Sequence, residues 1–390
     1  MSNTTNNGYT RRQFIQLAST GIAALSFPGI ASASMLINTP ASSPKIVWIV
    51  LRGALDSLHT VIPSFDKHYP TLRPSLSQSF TSPVLPLDRG FSLHPAMSNM
   101  HGLFKTKQLI PVVAVSSGYQ RRSHFDGQDF LESGKGIIDH DSGWLARAID
   151  VKHKKALSIS RAVPISLRSS SKVNTWFPSR LNDADNDIYL ALEKLYQDDE
   201  LLSMHLNKGL ALKGIVNSKG NKKGRLGKFE DLAKDCAKLL TSSDNVDCAM
   251  LELGGWDTHN QQASRLNQKL AELDTGIDVL RKGLGEQWSN TVVIVATEFG
   301  RTARENGTKG TDHGTGNAMF LAGGSLKGGM VKGQWPGLAD EQLYENRDLM
   351  PTTNTFGWIG SILQQHWGFT DEELAIVFPQ VDSYKESLLI

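Results

Sequence analysis

Five short, nearly continuous apolar runs, at residues 45–51, 109–115, 163–167, 246–253 and 291–296, constrain this chain more than any other feature. Runs of this length without polar alternation predict strands covered on both faces, as in a largely parallel sheet. Between the last two, Leu266, Leu270, Leu273, Ile277, Leu280 and Leu284 recur in steps of four and three, which places them on one helical face. This is a strand, helix, strand unit. Such units predict an α/β fold, layered α/β/α around a mostly parallel central sheet, with sites beyond the carboxyl ends of the strands.

The N-terminus reads as a targeting segment. Thr10-Arg11-Arg12-Gln13-Phe14-Ile15 is a twin-arginine pattern, followed by an apolar stretch at 17–27 and a small-residue cleavage site at Ala31-Ser32-Ala33. A basic tail before an amphipathic helix is the alternative. The expected organisation is a signal peptide at 1–33, a Ser/Pro/Ala linker at 34–44 and a single domain at 45–390. The twin-arginine translocase is then a partner during export, and the protein is periplasmic or secreted.

With 39% hydrophobic and 21% charged residues, the 390-residue chain has enough apolar content for an extensive core. Its 41 Lys and Arg include Arg11 and Arg12 of the leader and face 39 Asp and Glu, so the charge after cleavage balances. No nucleic acid or other polyanion is expected as partner. No later apolar run approaches the roughly 20 residues of a membrane span. Cys236 and Cys248 are too few for a disulfide scaffold or a four-thiolate zinc site, and form either one bridge or two buried thiols. The Gly-, Lys- and Asn-rich stretch at 206–228, with Lys219, Lys222, Lys223 and Arg225, reads as a solvated surface loop rather than an anion-binding patch.

The residues just past the runs are those that bind metals or carry nucleophiles. Asp56 follows the first run, where a turn or cap role is the plain alternative. After the second comes Arg121-Arg122-Ser123-His124-Phe125-Asp126 and a helix. Ser123 at its start is either an N-cap, with Asp126 completing an imperfect capping box, or a nucleophile stabilised by the helix N-terminus. Gly254-Gly255-Trp256-Asp257-Thr258-His259 brings two competent ligands past the fourth run, unless it is a polar turn into the helix. The last run leads to Glu298 and Arg301, then to Asp312-His313; Glu298 beside a buried strand end requires a partner, either a metal or Arg301.

These segments in this order resemble the DUF1501 family, largely uncharacterised exported bacterial proteins assigned to the alkaline-phosphatase-like superfamily. The likeness spans residues 45–390 and rests on LRGALD, RRSHFDGQDFLESG, GGWDTHNQQ and TEFGRTARENGTKGTDHG, with the later WPGL and DLMPTT. It implies an alkaline-phosphatase-like fold with one or two divalent ions beside a Ser, Thr or modified Cys nucleophile. By motif, Ser123 corresponds to the nucleophile, and Asp56, Asp257, His259, Glu298 and His313 to metal ligands. The superfamily commonly carries an adjacent Asp-His pair where this chain has Glu298-Phe299, so one imidazole is missing there. Formylglycine chemistry is not expected, since Phe125 and Gly127 occupy positions that its motif gives to Pro or Ala and to Arg, and neither cysteine fits.

The implied activity is hydrolysis of phosphate or sulfate esters, on a small-molecule or polymer substrate, through a covalent seryl intermediate. The metal is zinc first, with manganese, calcium or magnesium as alternatives. Arg122 or Arg301 is expected to clamp the non-bridging oxygens, with a surface ion pair as the alternative for Arg122. Two other readings stand: a non-catalytic binding or envelope-assembly protein that keeps the fold with a degenerate metal site, and a metal-dependent group transfer.

Overall fold

The run beginning at Lys45 becomes the central strand of an eight-stranded sheet in the computed structural model, which describes residues 43–170, 172–178, 186–216, 227–242 and 246–390. The expected signal peptide and nearly all of the linker lie outside the described residues. In chain order the sheet strands are β1 (Lys45–Arg52), β2 (Leu109–Ser116), β3 (Ala156–Ser158), β4 (Val173–Thr175), β5 (Cys248–Gly254), β6 (Thr291–Thr297), β7 (Asn317–Ala322) and β8 (Thr353–Asn354). They lie in the order β8-β2-β7-β6-β1-β5-β3-β4. Only β7 is antiparallel to its neighbours, so the sheet is mostly parallel.

The alternation of β1 builds the two outer layers, because successive side chains of a strand point to opposite faces. Val47, Ile49 and Leu51 pack with the apolar faces of helices α1 (Ser98–Lys105), α4 (Phe229–Ser242) and α5 (Gln262–Leu284). Ile46, Trp48 and Val50 pack with α2 (His124–Ser133), α3 (Trp144–Val151) and α6 (Thr355–Trp367). The helix expected from the leucine spacing is α5, and all six periodic residues are buried on it. Ser43–Ile390 forms one compact unit.

Two local expectations are corrected. Residues 163–167 are not a strand: Pro164, which has no N–H to offer a ladder, leads into a 3-10 turn at Ile165–Leu167, and β3 takes the place beside β5. The supposed loop at 206–228 begins as helix, because Glu200–Val216 is helical through Gly209 and Gly214; Lys219, Lys222, Lys223 and Arg225 lie outside the described residues. Cys236 and Cys248 are buried free thiols.

One buried acid sets a pH dependence. Burial pushes the Glu132 carboxyl up to about 7, against the opposing pull of the Ser166 N–H and hydroxyl that it accepts. The fold therefore favours the protonated acid. Its contribution is intact below the ordinary glutamate range and is lost as pH rises from there through about 7. Glu132→Gln should match the parent in urea unfolding at pH 5 and exceed it at pH 8, by a difference on the order of 2–3 kcal/mol.

Candidate metal centre

Strands β1, β5 and β6 run side by side in register, with Arg52 opposite Gly254 and Leu51 opposite Thr297. Their carboxyl ends therefore release the segments beginning at Gly53, Gly255 and Glu298 next to one another. Gly53 makes this approach possible: its φ is +123°, and a Cβ there would lie 2.6 Å from the Asp257 backbone nitrogen. From β2 the chain turns through Tyr119 and Arg122 into α2, whose first residue is His124.

Three imidazoles meet around one carboxylate oxygen. Asp257 Oδ1 lies 2.9 Å from His259 Nε2 and 3.4 Å from both His124 Nε2 and His313 Nε2. His259 Nε2 and His313 Nε2 are 2.9 Å apart. The outer nitrogen of each ring faces an acceptor: His124 Nδ1 with Glu298 Oε1 at 2.8 Å, His313 Nδ1 with the Arg122 carbonyl at 2.8 Å, and His259 Nδ1 with Asp312 Oδ1 at 3.3 Å. For His124 and His313 the better acceptor lies on Nδ1, which assigns the proton of the neutral ring there and turns the Nε2 lone pair inward, as the outer partners of metal-bound histidines do; His259 has acceptors on both sides, and Asp257 on its Nε2 is the nearer.

Converging lone pairs beside a carboxylate lack positive charge, and one atom makes this explicit. His124 Nε2 is sealed from solvent and makes no hydrogen bond, although it approaches Asp257. A buried nitrogen without a partner is costly, and a cation satisfies it. The ligand atoms of His124, Asp257 and His313 all lie within 4.8 Å of one another, and these residues form a candidate metal site. Nitrogen and carboxylate donors suit zinc and neighbouring divalent ions, and three protein ligands leave a position open. The Asp257 and His259 side chains are 44% and 42% exposed, so that position faces solvent.

Charge in the cluster is graded. Burial opposes ionisation of Asp257, but the Arg301 bond and charge, with His259 and His124, hold it at about 2. Burial opposes ionisation of Glu298 too, and the bonds from His124, Thr297 and Gln128 outweigh it and hold the carboxyl below the ordinary range. His124 is raised, because Glu298 and Asp257 outweigh its burial, whereas burial first of all lowers His313.

Asp257, His259 and His313 come together; the other expected ligands do not join them directly. Glu298, fully buried, stands behind His124 and also accepts from the Gly53 N–H at 2.8 Å, Gln128 Nε2 at 3.2 Å and Thr297 Oγ1 at 2.8 Å. Asp56 is corrected to a structural role. It caps the short helix Ser57–Thr60, and Arg73 Nη1 reaches its two oxygens at 2.8 and 2.7 Å. Gln262 donates its amide N–H to Asp56 and accepts at Oε1 from Thr258 at 3.0 Å and Thr311 at 2.7 Å, so this buried pair braces the loops that carry Asp257, His259 and His313.

The arginines expected to clamp substrate are otherwise engaged. Buried Arg301 donates to the carbonyls of Gly53, Ala54, Trp256 and Thr311 and to Asp257, which ties the three strand-end segments together. Arg122 pairs at 2.8 Å with exposed Glu345 and with Asp348, an ion pair as the alternative had it, although Asp348 is fully buried rather than at the surface. Ser123 occupies the N-cap position of α2, half-buried, and its side chain makes no capping bond, so the capping box with Asp126 is absent. His124 was not singled out from the sequence. Phe299 stacks on it at 5.0 Å and 22°, so the imidazole missing at position 299 arrives from the first turn of α2 instead.

This α/β/α chain thus carries a candidate metal centre of histidines and a carboxylate beside the carboxyl ends of its central strands. The chain belongs to the DUF1501 family, described as a protein of unknown function, whose model matches residues 101–376. No curated protein matches. Similar solved structures include the phosphonate monoester hydrolase SpPMH from Silicibacter pomeroyi, at 10% identity, covering 83% of this chain and 73% of that one with a TM-score of 0.40. Alkaline phosphatase from the Antarctic bacterium TAB5 shares 12% identity over 72% of this chain and 92% of that one, TM-score 0.38. The C-terminal periplasmic domain of EcEptC from Escherichia coli, in complex with Zn, shares 10% over 72% and 73%, TM-score 0.36.

Proposed function

We propose that this chain is an exported, metal-dependent hydrolase of phosphate or sulfate esters with Ser123 as its nucleophile. The observation that carries the reading is the approach of the His124, His259 and His313 Nε2 atoms to Asp257, with His124 next in sequence to Ser123, whose side chain leaves the helix N-terminus uncapped. His124, Asp257 and His313 would hold a divalent ion, zinc first and manganese, calcium or magnesium otherwise, with His259 beside them. When bound, the ion supplies Lewis acidity and a template for the ester.

The residues of the chain account for the rest. The first-turn amides of α2 have no acceptor within the helix, and with the helix dipole they favour an anionic oxygen at the position of Ser123. Attack by Ser123 Oγ on phosphorus or sulfur releases the alcohol and leaves a seryl ester that water hydrolyses. Arg301 holds Asp257 ionised and oriented rather than touching substrate. The twin-arginine pattern at Arg11-Arg12 supports export, and among the described residues no helix is long and apolar enough to cross a membrane.

Ser123→Ala should abolish turnover across a panel of phosphate monoesters, phosphate diesters and sulfate esters, while metal content and thermal unfolding stay at the parental level. Surviving turnover would remove Ser123 from the role. A metal-loaded parent chain that turns over none of the panel would favour a binding function for the same centre.

A further inference from the structure

A pocket away from the metal centre lies against α5. Ser264, Asn267 and Gln268 stand at i, i+3 and i+4, hence on one helical face, and they border a pocket of about 320 Å³ closed by Ser79, Phe80 and His94. None of these residues belongs to the metal centre, and no charged side chain lines the pocket.

The two buried histidines near it differ in a telling way. His59 has a partner for each nitrogen, the Tyr69 hydroxyl at 3.2 Å and the Ser79 hydroxyl at 3.4 Å. His94, only 4% exposed, accepts the Ala96 N–H on Nδ1 at 3.1 Å, which puts the proton of the neutral ring on Nε2. Burial lowers this imidazole to about 4, so the ring is neutral at physiological pH. Its Nε2–H has no protein partner among the described residues. His94 is one of the residues that line this pocket.

We propose that this pocket binds a neutral, hydroxyl-rich ring, a pyranoside in chemical class, independently of the metal centre. Carboxamides pair with ring hydroxyls because each offers both donor and acceptor atoms, and the Asn267 and Gln268 side chains are exposed at the pocket rim. His94, whose Nε2–H is unspent on protein, lines the pocket and would offer it a donor, and Phe80, stacked on His59 at 4.6 Å and 16°, supplies an apolar wall. The absence of charge disfavours an anionic ligand, and the volume sits at the small end of ligand sites, where one ring fits.

Saturation-transfer NMR on the full, metal-loaded chain tests this with the methyl α- and β-pyranosides of glucose, galactose and mannose, and with cyclohexylmethanol as the apolar control. At least one glycoside should bind in preference to the control. Asn267→Leu and Gln268→Leu, both at exposed helix positions, should each weaken that glycoside by about tenfold, the worth of one hydrogen bond. Ser123→Ala and chelation of metal should leave it unchanged, so failure of the ester-hydrolase reading would not touch this one. The proposal is overturned if no glycoside gives transfer, if the control binds equally well, if both leucine variants bind as the parent does, or if chelation abolishes binding.

Discussion

His124→Ala should strip the chain of bound divalent metal and of ester turnover together, while the fold survives. His124 is a minor packing element, on the first turn of α2 and partly exposed, but its sealed Nε2 makes no hydrogen bond among the described residues and approaches Asp257 Oδ1 only to 3.4 Å. Losing an outer hydrogen-bond partner of a metal-bound histidine typically costs about 10–100-fold in affinity. Glu298→Gln, which keeps the acceptor for His124 Nδ1 but removes its charge, is expected within that range, and His124→Ala beyond it. Elemental analysis and competitive zinc titration of the purified variants measure both. A His124→Ala chain that retains the parental metal content would take His124 out of the centre.

Asp56→Ala should be the most destabilising single change in this region, and should act on folding rather than on metal. It leaves the Arg73 guanidinium fully buried opposite no carboxylate, with only the Thr302 and Ala303 carbonyls remaining as acceptors. Breaking a buried ion pair from one side costs about 3–5 kcal/mol. Burial by itself would raise the Asp56 pKa, yet the charge and bonds of Arg73, with His59 and Gln262, lower it overall. This depressed carboxyl contributes stability above its ordinary pKa, and that contribution is lost as pH falls through its lower folded value. Urea unfolding reads the loss, and metal quantification on the folded fraction separates the roles. Normal stability with missing metal would instead make Asp56 a ligand.

Much of the candidate centre is legible in the sequence. Asp257, His259 and His313 stand just past apolar runs or in a glycine-flanked turn, and the rule that sites gather at the carboxyl ends of parallel strands marks such positions. His124 was equally visible in Arg122-Ser123-His124-Phe125, and its place on the first turn after a buried strand was the available signal. Its part was hidden because it depends on Glu298, 174 residues away, taking the Nδ1 side of the ring. Asp56 misled for the same kind of reason. A carboxylate after a strand reads alike whether its partner is a metal or an arginine, and Arg73 lies in an unremarkable stretch.

Periodicity alone determined the layered α/β class, the position of α5 and four of the long strands, because the spacing of apolar residues is a local property that burial must satisfy within each element. Tertiary structure alone decided that β3 rather than residues 163–167 joins β5, that Arg301 ties loops together, and which polar atoms face one another in the cluster. Hydrogen bonds are directional and join residues distant in the chain, such as Gly53 with Glu298 and Arg301 with Asp257. A composition or a spacing therefore carries the demand for a partner, and only the folded chain assigns it.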